Sequence, residues 1–198
     1  MNPYLLTASS NKTIYLKCDK ICYHGTYKTT CNSFYAGKRC PYCVGKKVHK
    51  KDSFGTFHIG ETDIDFIHKY WSSANTVDLF AIAPQSHKKI FMKCVQKQCH
   101  PDYEVSASKF TAGKRCPYCS HQKIVSSETA AITHPLTIEL WSDKNASTPF
   151  EYYSSSGKKV WWKCENGLHD DYLRDFNNST KRGFMCPKCV ILRKTSAL

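Results

Sequence analysis

Three stretches of the chain share one alternation of apolar and polar positions. Ser10–Cys18 reads Ser-Asn-Lys-Thr-Ile-Tyr-Leu-Lys-Cys, Ser86–Cys94 reads Ser-His-Lys-Lys-Ile-Phe-Met-Lys-Cys, and Ser156–Cys164 reads Ser-Gly-Lys-Lys-Val-Trp-Trp-Lys-Cys. The Ser, the Lys two residues on, the β-branched residue, the aromatic and the final Lys keep their places. β-Branched and aromatic residues favour strands, and a period of two gives a strand with one face on a core and the other in solvent. Each phrase therefore predicts a short strand ending at a cysteine, with Lys17, Lys93 and Lys163 beside that cysteine. The aromatics Tyr15, Phe91, Trp161 and Trp162 are read as core, the alternative being exposed rings that stack on unpaired bases.

A second pattern precedes the last two phrases only. Trp71-Ser-Ser-Ala-Asn75 matches Trp141-Ser-Asp-Lys-Asn145, and each Trp lies 23 residues before its cysteine. Helix-compatible stretches lead into each Trp, Glu61–Tyr70 and Ser127–Leu140; Pro135 splits the second, because proline cannot continue a helix interior. Both Trp residues are read as core. The first unit starts too late to carry this segment and is an abbreviated copy. The repeats divide the chain at about 1–48, 49–123 and 124–198.

Cysteines supply the candidate chemistry. Of twelve, six form Cys-Pro-x-Cys pairs: Cys40/Cys43, Cys116/Cys119 and Cys186/Cys189. Each pair follows a lone cysteine (Cys18, Cys94, Cys164) by 22 residues. A two-residue spacing turns both thiolates toward one ion, and two such half-sites close a structural zinc site. The fourth ligand should lie a few residues after the lone cysteine: His169 in unit three, Cys99 or His100 in unit two, Cys22 or His24 in unit one. Cys22, Cys99 and His169 are the preferred set, since they leave only Cys31 unexplained. The rival set has its own regularity, since His24, His100 and His169 each stand three residues before a Tyr. Disulfides are disfavoured without an export signal, and a redox Cys-Pro-Tyr-Cys should occur once rather than three times.

Between the ligand halves units one and two carry the same octapeptide, Ala-Gly-Lys-Arg-Cys-Pro-Tyr-Cys, at 36–43 and 112–119. Trp-x3-Asn, then Ser-x-Lys-Lys-Val-Trp-Trp-Lys-Cys, then His, then Cys-Pro-x-Cys resembles the zinc-ribbon, treble-clef-like repeat family, in three copies over almost the whole chain. Units one and two depart from the family by residues inserted around the His, and the family's Arg between the ligand halves has its counterpart in Arg174 only. The resemblance implies zinc and nucleic-acid binding. It places the chain in a small α+β, metal-dominated class: three tandem modules of short β-hairpins and short helices, each around one structural Zn2+.

Charge points to a partner. The chain has 198 residues and a formal charge of +13, an electrostatic footprint for polyanions. Lys38/Arg39, Lys114/Arg115 and Lys181/Arg182 recur beside the knuckles, and Lys88/Lys89 with Lys158/Lys159 recur on the strands. These are the candidate nucleic-acid contacts, with solvated or capping roles as the alternative. A protein partner is the rival reading, with the modules as a rigid scaffold such as an inhibitor or accessory factor of a nucleic-acid enzyme. No apolar run approaches a membrane span, and no signal peptide is recognisable, so a reducing, cytoplasmic setting is expected. Catalysis is not expected. A nuclease would draw on His169-Asp170-Asp171 and Asn177-Asn178, yet four Cys/His ligands leave no open metal position.

Overall fold

The computed structural model describes residues 5–60 and 65–195. All three predicted strand phrases form strands, each the first half of a two-stranded antiparallel hairpin. In the first module β1 (Thr13–Lys17) pairs with β2 (Thr26–Thr30), which runs into α1 (Cys31–Tyr35). The second has α2 (Phe54–Ile59), α3 (Phe66–Tyr70), β3 (Lys89–Met92), β4 (Tyr103–Ser106) and α4 (Ala107–Thr111). The third has α5 (Ala130–Thr133), α6 (Leu136–Glu139), β5 (Lys159–Trp162), β6 (Tyr172–Asp175), α7 (Phe176–Arg182) and α8 (Pro187–Thr195). Compact packing divides the chain into two units, Met1–Val95 with Asp102–Arg115 and Gln96–Pro101 with Cys116–Leu198.

One local device recurs at each strand-to-helix corner. The last residue of the second strand is the N-cap of the following helix. Thr30 accepts from the Ser33 N–H, Ser106 from the Lys109 N–H and Asp175 from the Asn178 N–H. Each side-chain oxygen satisfies an orphan donor of the first turn. This makes hairpin and helix one rigid corner.

Strand alternation decides what is buried. In the first unit Ile90 and Met92 are buried, and so are Phe54, Phe66 and Phe110, whose rings pack on one another. In the second unit Val160, Trp162, Phe176 and Phe184 form the core. The residues between, on the other face of the strand, are not core. Tyr15 is 69 % exposed and Phe91 39 %, and Trp161 is half-buried. The core expectation for these three fails because of the strand period of two: of each aromatic–apolar neighbour pair, only the second faces in.

The Trp-x3-Asn segments cover these cores from the edge of the first strand. Trp71 bridges Met92, and Trp141 bridges Trp162. Asn75 clamps the strand edge, its amide donating to Phe91 O (2.7 Å) and accepting from Phe91 N–H (2.8 Å). Asn145 does the same for Trp161 at 2.7 and 2.9 Å. Before Trp141, Pro135 separates α5 from α6, as its ring requires. Before Trp71, α3 fills the end of the expected stretch, and 61–64 lie outside the described residues. The helix α2 had no counterpart in the sequence reading.

Asn75→Ala should therefore destabilise the fold by about 1–2 kcal/mol, because the Phe91 N–H loses its partner while Phe91 O keeps the Ser72 N–H. Urea unfolding of the zinc-loaded protein measures it, and a change within a few tenths of a kcal/mol would remove the clamp from the account.

Candidate metal centres

Each hairpin turn holds the lone cysteine and each knuckle the Cys-Pro-x-Cys pair. The structure gathers them into three clusters: Cys18, His24, Cys40 and Cys43; Cys94, His100, Cys116 and Cys119; and Cys164, His169, Cys186 and Cys189. In each cluster the four ligand atoms lie within 4.8 Å of one another.

The histidines of all three clusters face the sulfurs through Nδ1. Around His24 Nδ1 the sulfurs of Cys43, Cys40 and Cys18 stand at 3.3, 3.7 and 3.9 Å. His100 Nδ1 lies 3.5 Å from Cys116 and 3.3 Å from Cys119. For His169 Nδ1 the distances are 3.7, 3.7 and 3.3 Å to Cys164, Cys186 and Cys189. A tetrahedral zinc with its usual bond lengths requires S···N edges of about 3.6 Å and S···S edges of about 3.8 Å. The Cys18–Cys43 and Cys164–Cys189 sulfurs are 3.5 and 3.6 Å apart. That is far beyond a disulfide bond, and none of the twelve cysteines is disulfide-bonded.

Electrostatics favours a cation at the first of these centres. The Ile21 backbone N–H donates to Cys18 Sγ at 3.5 Å and is the largest cause of a thiol pKa lowered to about 6. Cys43 is pushed up to about 12, first by burial and then by the neighbouring sulfurs of Cys18 and Cys40. One thiolate forms readily and the next is opposed by the first. A divalent ion removes that opposition and deprotonates the coordinating thiols outright. The donor set of three sulfurs and one imidazole is that of a closed structural zinc site.

The fourth ligand corrects the sequence reading in two modules. Cys22 and Cys99 are exposed and lie outside the four-residue clusters, and His24 and His100 take their places. The signal was in the register to the following strand: His24, His100 and His169 each stand three residues before a Tyr (Tyr27, Tyr103, Tyr172), and Cys22 and Cys99 do not. Cys31, left unexplained by spacing, is a buried residue at the start of α1, where the second module has the buried Ala107.

A second layer of ligands' partners was not foreseen. The His24 ring places Nε2 2.6 Å from Asp52, which also accepts from the Tyr23 hydroxyl. The His100 ring places Nε2 3.1 Å from Glu128, which also accepts from Lys97 at 2.7 Å. Lys97, and after it His100, hold the Glu128 carboxyl at about 2. Both carboxylates lie 28 residues beyond their histidine, on the short 3-10 turn that opens the next repeat. Such a carboxylate fixes the imidazole tautomer and raises its basicity toward the metal.

The basic candidates divide. All ten are exposed. Arg39 folds back over the Phe34 ring (4.4 Å) and donates to Phe34 O at 2.9 Å; Arg115 does the same with Phe110 at 4.2 and 2.7 Å. Both therefore cap the carbonyls before the knuckle. Arg174 donates to Gly183 O and Met185 O at the same place in the third module. Lys89 pairs with Glu104 at 3.2 Å, and Lys158 lies over Tyr152. Lys38, Lys88, Lys114, Lys159, Lys181 and Arg182 make no salt bridge among the described residues. The nuclease candidates are also engaged. Asp171 accepts from the Ser142 hydroxyl, and Asn178 is held by the capping Asp175.

Charge is concentrated in the first module, where residues 1–48 carry eight Lys/Arg against one carboxylate. There β2, α1 and the knuckle enclose an open groove of about 560 Å3. Lys28, Lys38, Arg39 and Lys46 line it with the hydroxyl residues Thr30 and Ser33, and no carboxylate does. In the second module the counterpart of Lys28 is Glu104, already paired with Lys89.

Residues 67–122 and 137–191 match the domain family described as probable treble clef zinc finger domain, together more than half of the chain. No curated protein matches the chain. No helix among the described residues is long and apolar enough to cross a membrane.

Two outcomes follow for the metal. His24→Ala should lower bound zinc from three ions per chain toward two, whereas the Cys22→Ser, Cys99→Ser pair keeps three; metal analysis of purified protein reads both. Asp52→Ala should keep three ions but weaken the first site about 10–100-fold, as loss of an outer-shell partner does. Competition with a chromophoric chelator measures this, and an unchanged affinity would strip Asp52 of that role.

Proposed function

The chain belongs to the family of probable treble clef zinc finger domains, and from that premise we propose that it is a zinc-scaffolded nucleic-acid-binding protein that holds the phosphate backbone in the first module's groove. The observation that carries this reading is the groove between β2, α1 and the knuckle, lined by four cations and no carboxylate. Lys28, Lys38 and Lys46 are exposed there and make no salt bridge among the described residues. Arg39 spends one guanidinium nitrogen on Phe34 O and Lys38 O and keeps its positive charge at the rim.

The chemistry is counterion release. A groove that neutralises several phosphates gains affinity from the ions it displaces, and that gain falls steeply with salt. Hydroxyls of Thr30 and Ser33 add uncharged donors to phosphate oxygens. Exposed Tyr15 stands directly across the hairpin from Lys28, which favours a strand with an unstacked base over the ring. No helix enters a groove of the nucleic acid in this reading, so backbone contacts dominate and base readout is slight. Each zinc shell is closed by four Cys/His donors, so the ions act as scaffold and the reading includes no catalytic step.

Equilibrium binding of the zinc-loaded protein to labelled single- and double-stranded oligonucleotides across a salt series tests this. Submicromolar binding at low salt with a log–log slope of about −3 or steeper is expected. The Lys28→Ala, Lys38→Ala, Lys46→Ala protein should keep its zinc and lose about two to three units of that slope. Weak binding in the parent, or an unaltered slope in the variant, would leave the groove without this role and turn the search to a protein partner.

A further inference from the structure

The first module has the hairpin and helix of the other two, and among the described residues no Trp-x3-Asn segment covers them. Ile14, Leu16 and Phe34 occupy the places that Ile90, Met92 and Phe110 hold in the second module, 76 residues on. Those three are fully buried beneath Trp71 and its helices. Their counterparts line an open apolar groove of about 450 Å3 together with Leu6 and Tyr35. Phe34 is 38 % exposed, Tyr35 77 %.

Among the described residues the strand edge is bare at the matching point. Lys12 and Cys18 bond across to Cys31 and Gly25, so by alternation the even-numbered residues of this strand face β2 and the Tyr15 peptide groups face outward. In the other modules these groups belong to Phe91 and Trp161 and are clamped by Asn75 and Asn145. No described residue supplies such an amide to Tyr15. An apolar face and an unpaired strand edge thus coincide.

We propose that this face is a docking site for a segment of another protein with the chemistry of residues 61–85: an acidic stretch in which a short helix leads into Trp-Ser-x-x-Asn. Two covering segments in the same chain show what the face accepts. The Trp bridges the strand at its inner residue, as Trp71 does at Met92 and Trp141 at Trp162, where the two rings also meet edge to face, and the Asn pairs with the edge peptide. Charge agrees. Residues 61–85 carry four carboxylates against one Lys, and residues 127–148 carry three against one, while residues 1–48 carry eight cations against one carboxylate. A second copy of this chain is a poor occupant, because both of its own Trp-x3-Asn segments already cover Met92 and Trp162. The proposal does not depend on nucleic-acid binding: Ile14, Leu16 and Phe34 lie in this groove and not in the cationic one, and Arg39 alone borders both.

The test uses the zinc-loaded full chain and a fluorescein-labelled synthetic peptide with the sequence of residues 61–85. Saturable binding with a Kd in the micromolar range (about 1–100 μM) is expected, with methyl resonances of Ile14 and Leu16 shifting on titration. W71A and N75A versions of the peptide should each bind at least tenfold more weakly; altering the peptide leaves the protein's own folding untouched. No binding at millimolar peptide, equal binding by both altered peptides, or shifts confined to the Lys28, Lys38 and Lys46 groove would overturn the proposal. So would an oligonucleotide that shifts Ile14 and Leu16 and displaces the peptide, which would assign the face to nucleic acid.

Discussion

Closing a tetrahedron around one ion is the constraint on which the rest of this structure depends. Each module offers a two-stranded hairpin, one or more short helices and a knuckle, and a two-stranded hairpin alone is marginal in water. The ion joins the hairpin turn to the knuckle, segments about 22 residues apart in sequence. That single cross-link fixes the hairpin register, and the register in turn selects which aromatic of each strand is buried. Structural zinc contributes on the order of 10–16 kcal/mol in zinc-finger peptides, more than a module of this size gains from its apolar core alone.

Much of this was legible in sequence, and the reason is that metal geometry is written in spacing. Nine cysteines, three strands and the two Trp-x3-Asn segments are visible because a knuckle needs two intervening residues and a strand needs period two. The fourth ligand was legible only through register. Cys22 and Cys99 looked attractive by chemical type, but an ion selects position, and His24, His100 and His169 share one distance to the following Tyr where the cysteines do not. The carboxylates Asp52 and Glu128 were invisible because they come from the next repeat, and a sequence read module by module assigns them to a linker. The outward face of Tyr15 and Phe91 was also hidden. Two adjacent aromatic or apolar residues fit either strand face until the partner strand is placed.

The carboxylate contacts change how the repeats should be viewed. His24 reaches Asp52, and His100 reaches Glu128. Each ligand histidine is thus oriented by the residue that opens the following module, 28 positions on. A repeat array gains cooperativity from its interface terms as well as from the units themselves, and here the interface includes the metal's outer shell. Ordering one site helps to seat the start of the next repeat, and that start supports the site behind it. The knuckle arginines show the same economy of purpose in a smaller compass. Arg39 and Arg115 look like phosphate contacts in sequence, yet each caps the carbonyl of its own helix end and lies over the adjacent Phe ring.

The first module concentrates what the other two have resolved internally. Glu104 answers Lys89 in the second module, whereas Lys28 at the matching strand position has no carboxylate across from it. Trp71 and Asn75 cover the second hairpin, whereas the matching apolar residues of the first, Ile14, Leu16 and Phe34, line an open groove. Divergence between copies of one repeat is informative because the copies share a backbone, so a difference in side chains isolates a difference in task. In the second and third modules Asn75 and Asn145 hold the strand edge beside a covered core. The first combines eight cations against one carboxylate with a strand edge that no amide clamps among the described residues.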